Sequence, residues 1–193
     1  MTRGPLIIVS GPSGGGKSTV IDRVLRESDR PLHLSVSVTT REPRPGERDG
    51  VHYHFWPRER FQEARDAGAF LEWAEVHGNC YGTLRSEVEP YRERGEGVVL
   101  DIDVQGAEQV RRQCPDAVSV FLSPSSPEVL ERRLRGRRTE TEAAVRRRLA
   151  NARGELARRD EYTYQVVNDE LEEAVAQLRA IIRRQFERGS HAG

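Results

Sequence analysis

Leu6-Ile7-Ile8-Val9-Ser10-Gly11-Pro12-Ser13-Gly14-Gly15-Gly16-Lys17-Ser18-Thr19 decides how this chain is read. Four consecutive apolar residues make a short buried strand, and the glycine run that follows is a turn. Beyond it, Val20, Ile21, Val24 and Leu25 recur at helical spacing and predict a helix over 17–27. Strand, G-x-x-x-x-G-K-[ST] loop and helix together form a phosphate-binding unit. Its glycines let successive N–H groups turn inward toward phosphate oxygens, and the helix N-terminus adds partial positive charge. Residues Gly11 to Thr19 are therefore expected to hold ATP. Lys17 would reach the β- and γ-phosphates, and the Ser18 hydroxyl would ligate Mg²⁺.

Lys17 is the only lysine among 31 cationic residues, the rest being arginine. A lysine kept against that background points to a task suited to a compact ammonium and not to a planar guanidinium. The 31 cations balance 31 anions, so no global field recruits nucleic acid or an acidic membrane, and any anion site must be local. At 193 residues the chain fits one domain with insertions, large enough to fold without metal or disulfide staples. Cys80 and Cys114 are too few for a disulfide framework. The apolar run at 6–9 is too short for a signal peptide or a span, so a cytoplasmic protein is expected.

Continuous apolar strands alternating with amphipathic helices predict an α/β fold, with a parallel sheet flanked by helices. Strands are expected at 6–10, 34–40, 53–56, 70–76, 98–100, 117–122 and 165–167. Helices are expected at 17–27, 57–66, 84–93, 104–113, 128–135, 140–159 and 170–188. The more polar and more antiparallel stretch 35–96 reads as an insertion. Residues 1–34, 97–127 and 157–193 are left as the core, and 128–156 as a separate arginine-rich segment. Asp101 and Asp103 follow the strand at 98–100, where an acid would serve magnesium. Taken alone they are equally ordinary turn acids at a strand end.

Residues 40–53, TREPRPGERDGVHY, place Arg41, Arg44 and Tyr53 on a loop stiffened by two prolines. Two guanidinium forks and a phenol suit a phosphate dianion, although most arginines in so arginine-rich a chain are simply solvated. This stretch resembles the guanylate kinase family, as do the phosphate loop, FLEWA at 70–74, GNCYGT at 78–83, LDIDVQG at 100–106 and GRRTET at 136–141. The motifs run in order across nearly the whole chain.

The resemblance implies a P-loop core with an antiparallel GMP-binding insertion at 35–96 and a helical lid at 128–156. It implies transfer of the γ-phosphoryl group of MgATP to GMP, with dGMP as a second acceptor. By the same resemblance, Arg41, Arg44, Tyr53 and Tyr81 would hold the GMP phosphate. Ser37, Glu72 and Thr83 would read guanine, with Asp103 close by. Independently of the resemblance, the place of Asp101 after its strand, beside a phosphate loop, makes it the expected companion of Ser18 at the metal. Arg133, Arg137 and Arg148 would meet the ATP phosphates and the moving group. Asn168 would contact adenine, or cap the helix beginning near it, or both.

The chemistry agrees with that assignment. Guanine presents N1–H and an amino group side by side, two donors that suit one carboxylate, whereas adenine would strand the charge of Glu72. Without the family Glu72 is an acid on an edge strand. Gly15 and Cys80 stand where the family often carries other side chains, and no zinc site is expected. The partners implied are GMP and ATP, with no nucleic acid and no membrane, in a monomer or homo-oligomer. Three rivals are an interaction module lacking catalysis, a kinase acting on a phosphorylated sugar, and an AMP-specific kinase. The intact phosphate loop argues against the first, and the combination of Ser37, Glu72 and Thr83 against the others.

Overall fold

The computed structural model describes residues 2–76, 78–136 and 142–191. In chain order the strands are β1 (Leu6–Ser10), β2 (Leu32–Leu34), β3 (Val38–Thr39), β4 (His54–Phe55), β5 (Phe70–Val76), β6 (Asn79–Leu84), β7 (Gly97–Asp101), β8 (Val118–Ser123) and β9 (Tyr164–Val167). The helices are α1 (Lys17–Glu27), α2 (Arg58–Asp66), α3 (Glu89–Glu93), α4 (Val104–Gln113), α5 (Pro127–Gly136), α6 (Glu142–Leu156) and α7 (Leu171–His191).

Five strands form one parallel sheet in the order β2-β7-β1-β8-β9. Strand β1 lies at its centre and is buried throughout, as an uninterrupted apolar run requires when helices cover both faces. Side chains of β1 alternate between those faces. Ile7 and Val9 pack with Val20, Ile21 and Val24 of α1 and with Val175, Leu178 and Ile182 of α7. Leu6 and Ile8 pack with Val104, Ala107 and Val110 of α4. Parallel strands deliver their carboxyl ends to the same edge, so Gly11, Asp101 and Asn168, each next to or at a strand terminus, converge there.

A smaller sheet, ordered β4-β3-β6-β5, carries the rest of the β-structure. Its β5–β6 and β6–β3 pairs are antiparallel, but β3 and β4 run parallel. Val38, Phe61, Phe70 and Cys80 form its own apolar cluster. Leu71 and Val88, in contrast, join the cluster beneath the large sheet. Helices α5 and α6 share a fourth cluster of Leu130, Leu134, Val145 and Ala152.

Two sequence expectations need correction. The strand expected over 34–40 is two strands, β2 in the large sheet and β3 in the small one, because the chain leaves one sheet for the other between Leu34 and Val38. The helix expected from residue 84 is instead the end of β6, a 3₁₀ turn at Arg85–Glu87 and then the short α3. Strand β6 was not anticipated at all.

One glycine sets where the loop leaves the sheet. Gly11 has φ +147°, and a Cβ there would lie 1.9 Å from the carbonyl oxygen of Leu122 on the neighbouring strand β8. That distance is far inside van der Waals contact and the obstacle is backbone, so nothing cheap can yield. Gly11→Ala is expected to destabilise the fold by about 2–3 kcal/mol and to displace the loop. Urea unfolding followed by circular dichroism measures this, and wild-type stability in the variant would contradict it.

Candidate functional site

A cleft of about 420 Å³ opens at the carboxyl edge of the large sheet, between the phosphate loop and the small sheet. Gly11, Ser13, Gly14, Gly16, Lys17, Ser18 and Thr19 line one side, with Asp101 and Asp103 at the floor. Ser37, Arg44, Tyr53, Glu72 and Tyr81 line the other. Residues that sequence reading assigned to two different substrates therefore face one another across a single space.

The loop is held in shape from several directions. Gly14 and Gly16 both have φ +87°, the left-handed conformation that lets consecutive N–H groups share a concave side. The Lys17 ammonium lies over the loop and donates to the Gly11 carbonyl at 2.8 Å. Asn168, only 4% exposed, donates its side-chain amide to the Gly15 carbonyl at 2.7 Å. Its backbone N–H bonds Ser123 O, while α7 starts later, at Leu171. Asn168 thus braces the loop from β9. Pro12 and Gly15 close the loop through the Gly15 N–H to Pro12 O bond of 2.9 Å.

Ser18 and Asp101 meet as the sequence suggested, with the hydroxyl 3.3 Å from Oδ2 of Asp101. Burial pushes the Asp101 carboxyl up, opposed by Lys17 and by the Ser18 hydrogen bond. A hydroxyl and a carboxylate side by side, both oxygen donors, fit a hard divalent cation that completes its shell with phosphate oxygens and water. Among the described residues no three His, Cys, Asp or Glu side chains gather as a metal set. A cation here would rely on the nucleotide's own oxygens.

Arg41 and Thr83 are not among the cleft-lining residues, and the Arg41 guanidinium grips Glu47 through two bonds of 3.0 and 2.9 Å. Glu47 also accepts the Arg44 backbone N–H at 2.7 Å. The Arg41 side chain lies over the rings of Tyr53 and Phe55, and Tyr53 meets Tyr81 edge-on at 6.1 Å between centroids. The Arg41 guanidinium holds the Glu47 carboxyl below the usual carboxylate range. Glu47 lies within the signature, but its role as the clip between the two arginines was not read from it.

Glu72 occupies the most unusual environment. It is 5% exposed, and the Thr83 hydroxyl donates to Oε1 at 2.7 Å. Burial, opposed by the Thr83 hydrogen bonds and aided by the nearby Asp103, raises the Glu72 pKa from an ordinary 4.5 to about 7. Asp103 and Glu155 add negative charge to the same cleft, and no ion pair is formed by Glu72 among the described residues. Space for the carboxylate comes from Gly106, where a Cβ would lie 2.3 Å from Oε2. Asp103 caps α4, accepting from the backbone N–H groups of Gln105 and Gly106.

The arginines expected near the phosphates are less gathered. Arg133 on α5 donates to the Asp169 carbonyl at 3.1 Å, beside the loop. Arg148 is half-buried on α6, and neither of the two is among the cleft-lining residues. Arg137 lies outside the described residues, as do His77 and residues 138–141. Helix α6 instead contributes Glu155 to the cleft. Burial raises its carboxyl, and one oxygen has no hydrogen-bond partner. An acid inside an arginine-crowded helix left no signal in the sequence that distinguishes it from a surface residue.

A model of the guanylate kinase family matches residues 3–185. The chain belongs to the guanylate kinase family. The guanylate kinase of Rubrobacter xylanophilus is 53% identical over 184 residues, covering 95% of this chain and 96% of its relative. That of a Synechococcus species, strain JA-3-3Ab, is 50% identical over 181 residues, covering 94% and 83%. The crystal structure of guanylate kinase from Anaplasma phagocytophilum superposes with a TM-score of 0.78 at 33% identity, covering 96% of this chain and 87% of that one. A gluconokinase from Sinorhizobium meliloti 1021, at 19% identity and a TM-score of 0.50 with 100% and 98% covered, shares the fold alone.

The raised pKa of Glu72 has a thermodynamic sign. The folded chain holds this proton more tightly than the unfolded chain, so its contribution is fully present below about 4.5 and is lost as pH rises to about 7. At 1.36 kcal/mol per unit, ionisation costs the unliganded protein about 3 kcal/mol. Glu72→Gln keeps an acceptor for Thr83 without the charge. It is expected to remove most of the stability lost between pH 5 and pH 8, as read by urea midpoints at the two pH values. An unchanged difference between those midpoints would contradict the assignment.

Proposed function

We propose that the chain transfers the γ-phosphoryl group of ATP to GMP, giving ADP and GDP. The carrying observation is the placement of the buried Glu72 carboxylate in the same cleft as Lys17 and the phosphate loop. A buried carboxylate with one hydroxyl donor has room for more, and the N1–H and amino group of guanine supply two side by side. Leaving such a charge unpaired is costly, and this is the basis for rejecting a base that lacks those donors. Ser37 lines the same wall, and Thr83 orients the carboxylate from behind. The GMP phosphate is assigned to Arg41, Arg44, Tyr53 and Tyr81, with Glu47 fixing the spacing of the two arginines. We extend the acceptor range to dGMP, since no assigned group requires a 2′-hydroxyl.

The acceptor phosphate brings its own nucleophilic oxygen, being largely dianionic at neutral pH with a second pKa of about 6. The protein's work is alignment of two polyanions and compensation of charge on the moving group. Lys17 and the loop N–H groups receive the donor phosphates, and Arg133, Arg137 and Arg148 of the 128–156 segment are assigned to the transferring group. Ser18 and Asp101 would hold Mg²⁺, which when bound neutralises phosphate charge. In this reading residues 35–96 are the GMP-binding insertion and 128–156 the lid, closing over the core on the μs–ms scale usual for lids. Two free cysteines suit a reducing compartment, and a cytoplasmic location is proposed on that ground. Among the described residues no helix is long and apolar enough to cross a membrane.

A coupled ADP-release assay with GMP, dGMP, AMP, UMP, CMP and a sugar phosphate tests the reading. Turnover is expected with GMP and dGMP, and preference for any other acceptor would overturn it. Lys17→Ala should lower kcat by ~10² or more, judged from the loss of single electrostatic donors elsewhere. Near-normal turnover in that variant would remove Lys17 from its role. Glu72→Ala should weaken GMP by about tenfold or more while MgATP affinity stays within about twofold. Equal losses for both ligands would sink the guanine assignment.

A further inference from the structure

Strand β5 carries Glu72 at the outer edge of the small sheet, where one side of its backbone has no strand to pair with. That edge faces α4. Gln109 of α4 bonds both groups of one residue there, its Nε2 donating to Trp73 O at 2.7 Å and its Oε1 accepting Trp73 N–H at 3.3 Å. A primary amide has the donor and acceptor of a peptide, so Gln109 takes the place of a neighbouring strand. A β-bulge interrupts the register between Phe70 and Glu72, putting Leu71 out of step with β6. The Leu71 carbonyl is bonded instead by Gln113 Nε2 at 2.9 Å. Gln113 also accepts from Arg85 at 2.6 Å, just beyond β6, so it ties both strands of the hairpin.

These residues share a stripe of α4. Gly106, Gln109 and Gln113 stand at i, i+3 and i+7, the spacing of one helical face. Gly106 leaves room for the Glu72 carboxylate, and the two glutamines fasten the residues on either side of Glu72. The rest of the helix is fixed to the core, through Val104, Ala107 and Val110 in the apolar cluster and Asp103 at its N-terminus. We propose that Gln109, supported by Gln113, is a positioning residue for base recognition, holding the Glu72 backbone in register with the phosphate-transfer edge of the core. The inference rests on Glu72 being the reader of guanine.

Calorimetric titration of GMP, inosine monophosphate and MgATP into wild type, Gln109→Met, Gln109→Glu and Glu72→Ala tests it. Methionine keeps side-chain length and helix preference but forms neither bond. Gln109→Met is expected to weaken GMP about tenfold, with MgATP within about twofold. The preference for GMP over inosine monophosphate, which lacks the amino group, should shrink in the same variant. Kinetically, KM for GMP should rise with kcat nearly unchanged. Gln109→Glu keeps the acceptor and loses the donor, so it should fall between, and it carries the comparison if the methionine variant does not fold. Unchanged GMP affinity and base preference at position 109, with Glu72→Ala impaired, would overturn the inference and leave the guanine reading standing. Equal loss of GMP and MgATP would also overturn it, as general loosening. Unimpaired Glu72→Ala would instead mean that the guanine reading has failed.

Discussion

A carboxylate kept out of water with a single hydroxyl for company is the constraint around which the acceptor side is built. Removing such a group from solvent is unfavourable unless it is paired or protonated, and Glu72 has been driven toward protonation. The surroundings accept this cost. Thr83 supplies one bond, Gly106 supplies space and α4 supplies rigidity. None of these increases the comfort of the charge enough to make it content without a ligand. In the proposed reading, selectivity and the cost of burial reside in the same atoms, and ionised Glu72 lowers the stability of the unliganded protein.

The donor side solves a different problem by different means. Phosphates need many weak positive partners in a curved array, and backbone N–H groups provide them only where side chains are absent. Glycine at 11, 14 and 16 makes the curve, and a carbonyl of β8 presses so closely on Gly11 that no other residue fits. Lys17 then adds a mobile point charge that folds back on the loop carbonyls. Arginine elsewhere does what its geometry suits, as at Arg41, where a planar fork matches both oxygens of Glu47.

Much of this could be read before the fold was known, and the failures have physical causes. The strand at 6–10, the helix at 17–27 and the meeting of Ser18 with Asp101 followed from period and motif alone. Periodicity reports which face is apolar but not which sheet a strand belongs to, so LSVSVTT at 34–40 read as one strand where the structure has two. Strand β6, NCYGTL, holds two polar residues, a glycine and a cysteine, so it shows no apolar alternation, and only its pairing with β5 and β3 makes it a strand. Glu155 and Gln109 were invisible for a related reason: a polar residue on a helix looks solvated until its neighbours are known. The residues proposed to read base and phosphate stand out because their types and spacing form a signature, whereas the groups that hold them in place do not.

Asn168 reaches back across 153 residues to bond Gly15. The loop that defines the chain's beginning is completed by a side chain near its end. During synthesis the first strand and helix emerge long before that amide does, so a nascent chain carries every residue of the loop without its brace. A fragment ending before β9 would keep all of residues 11–19 and lack the amide that bonds the Gly15 carbonyl.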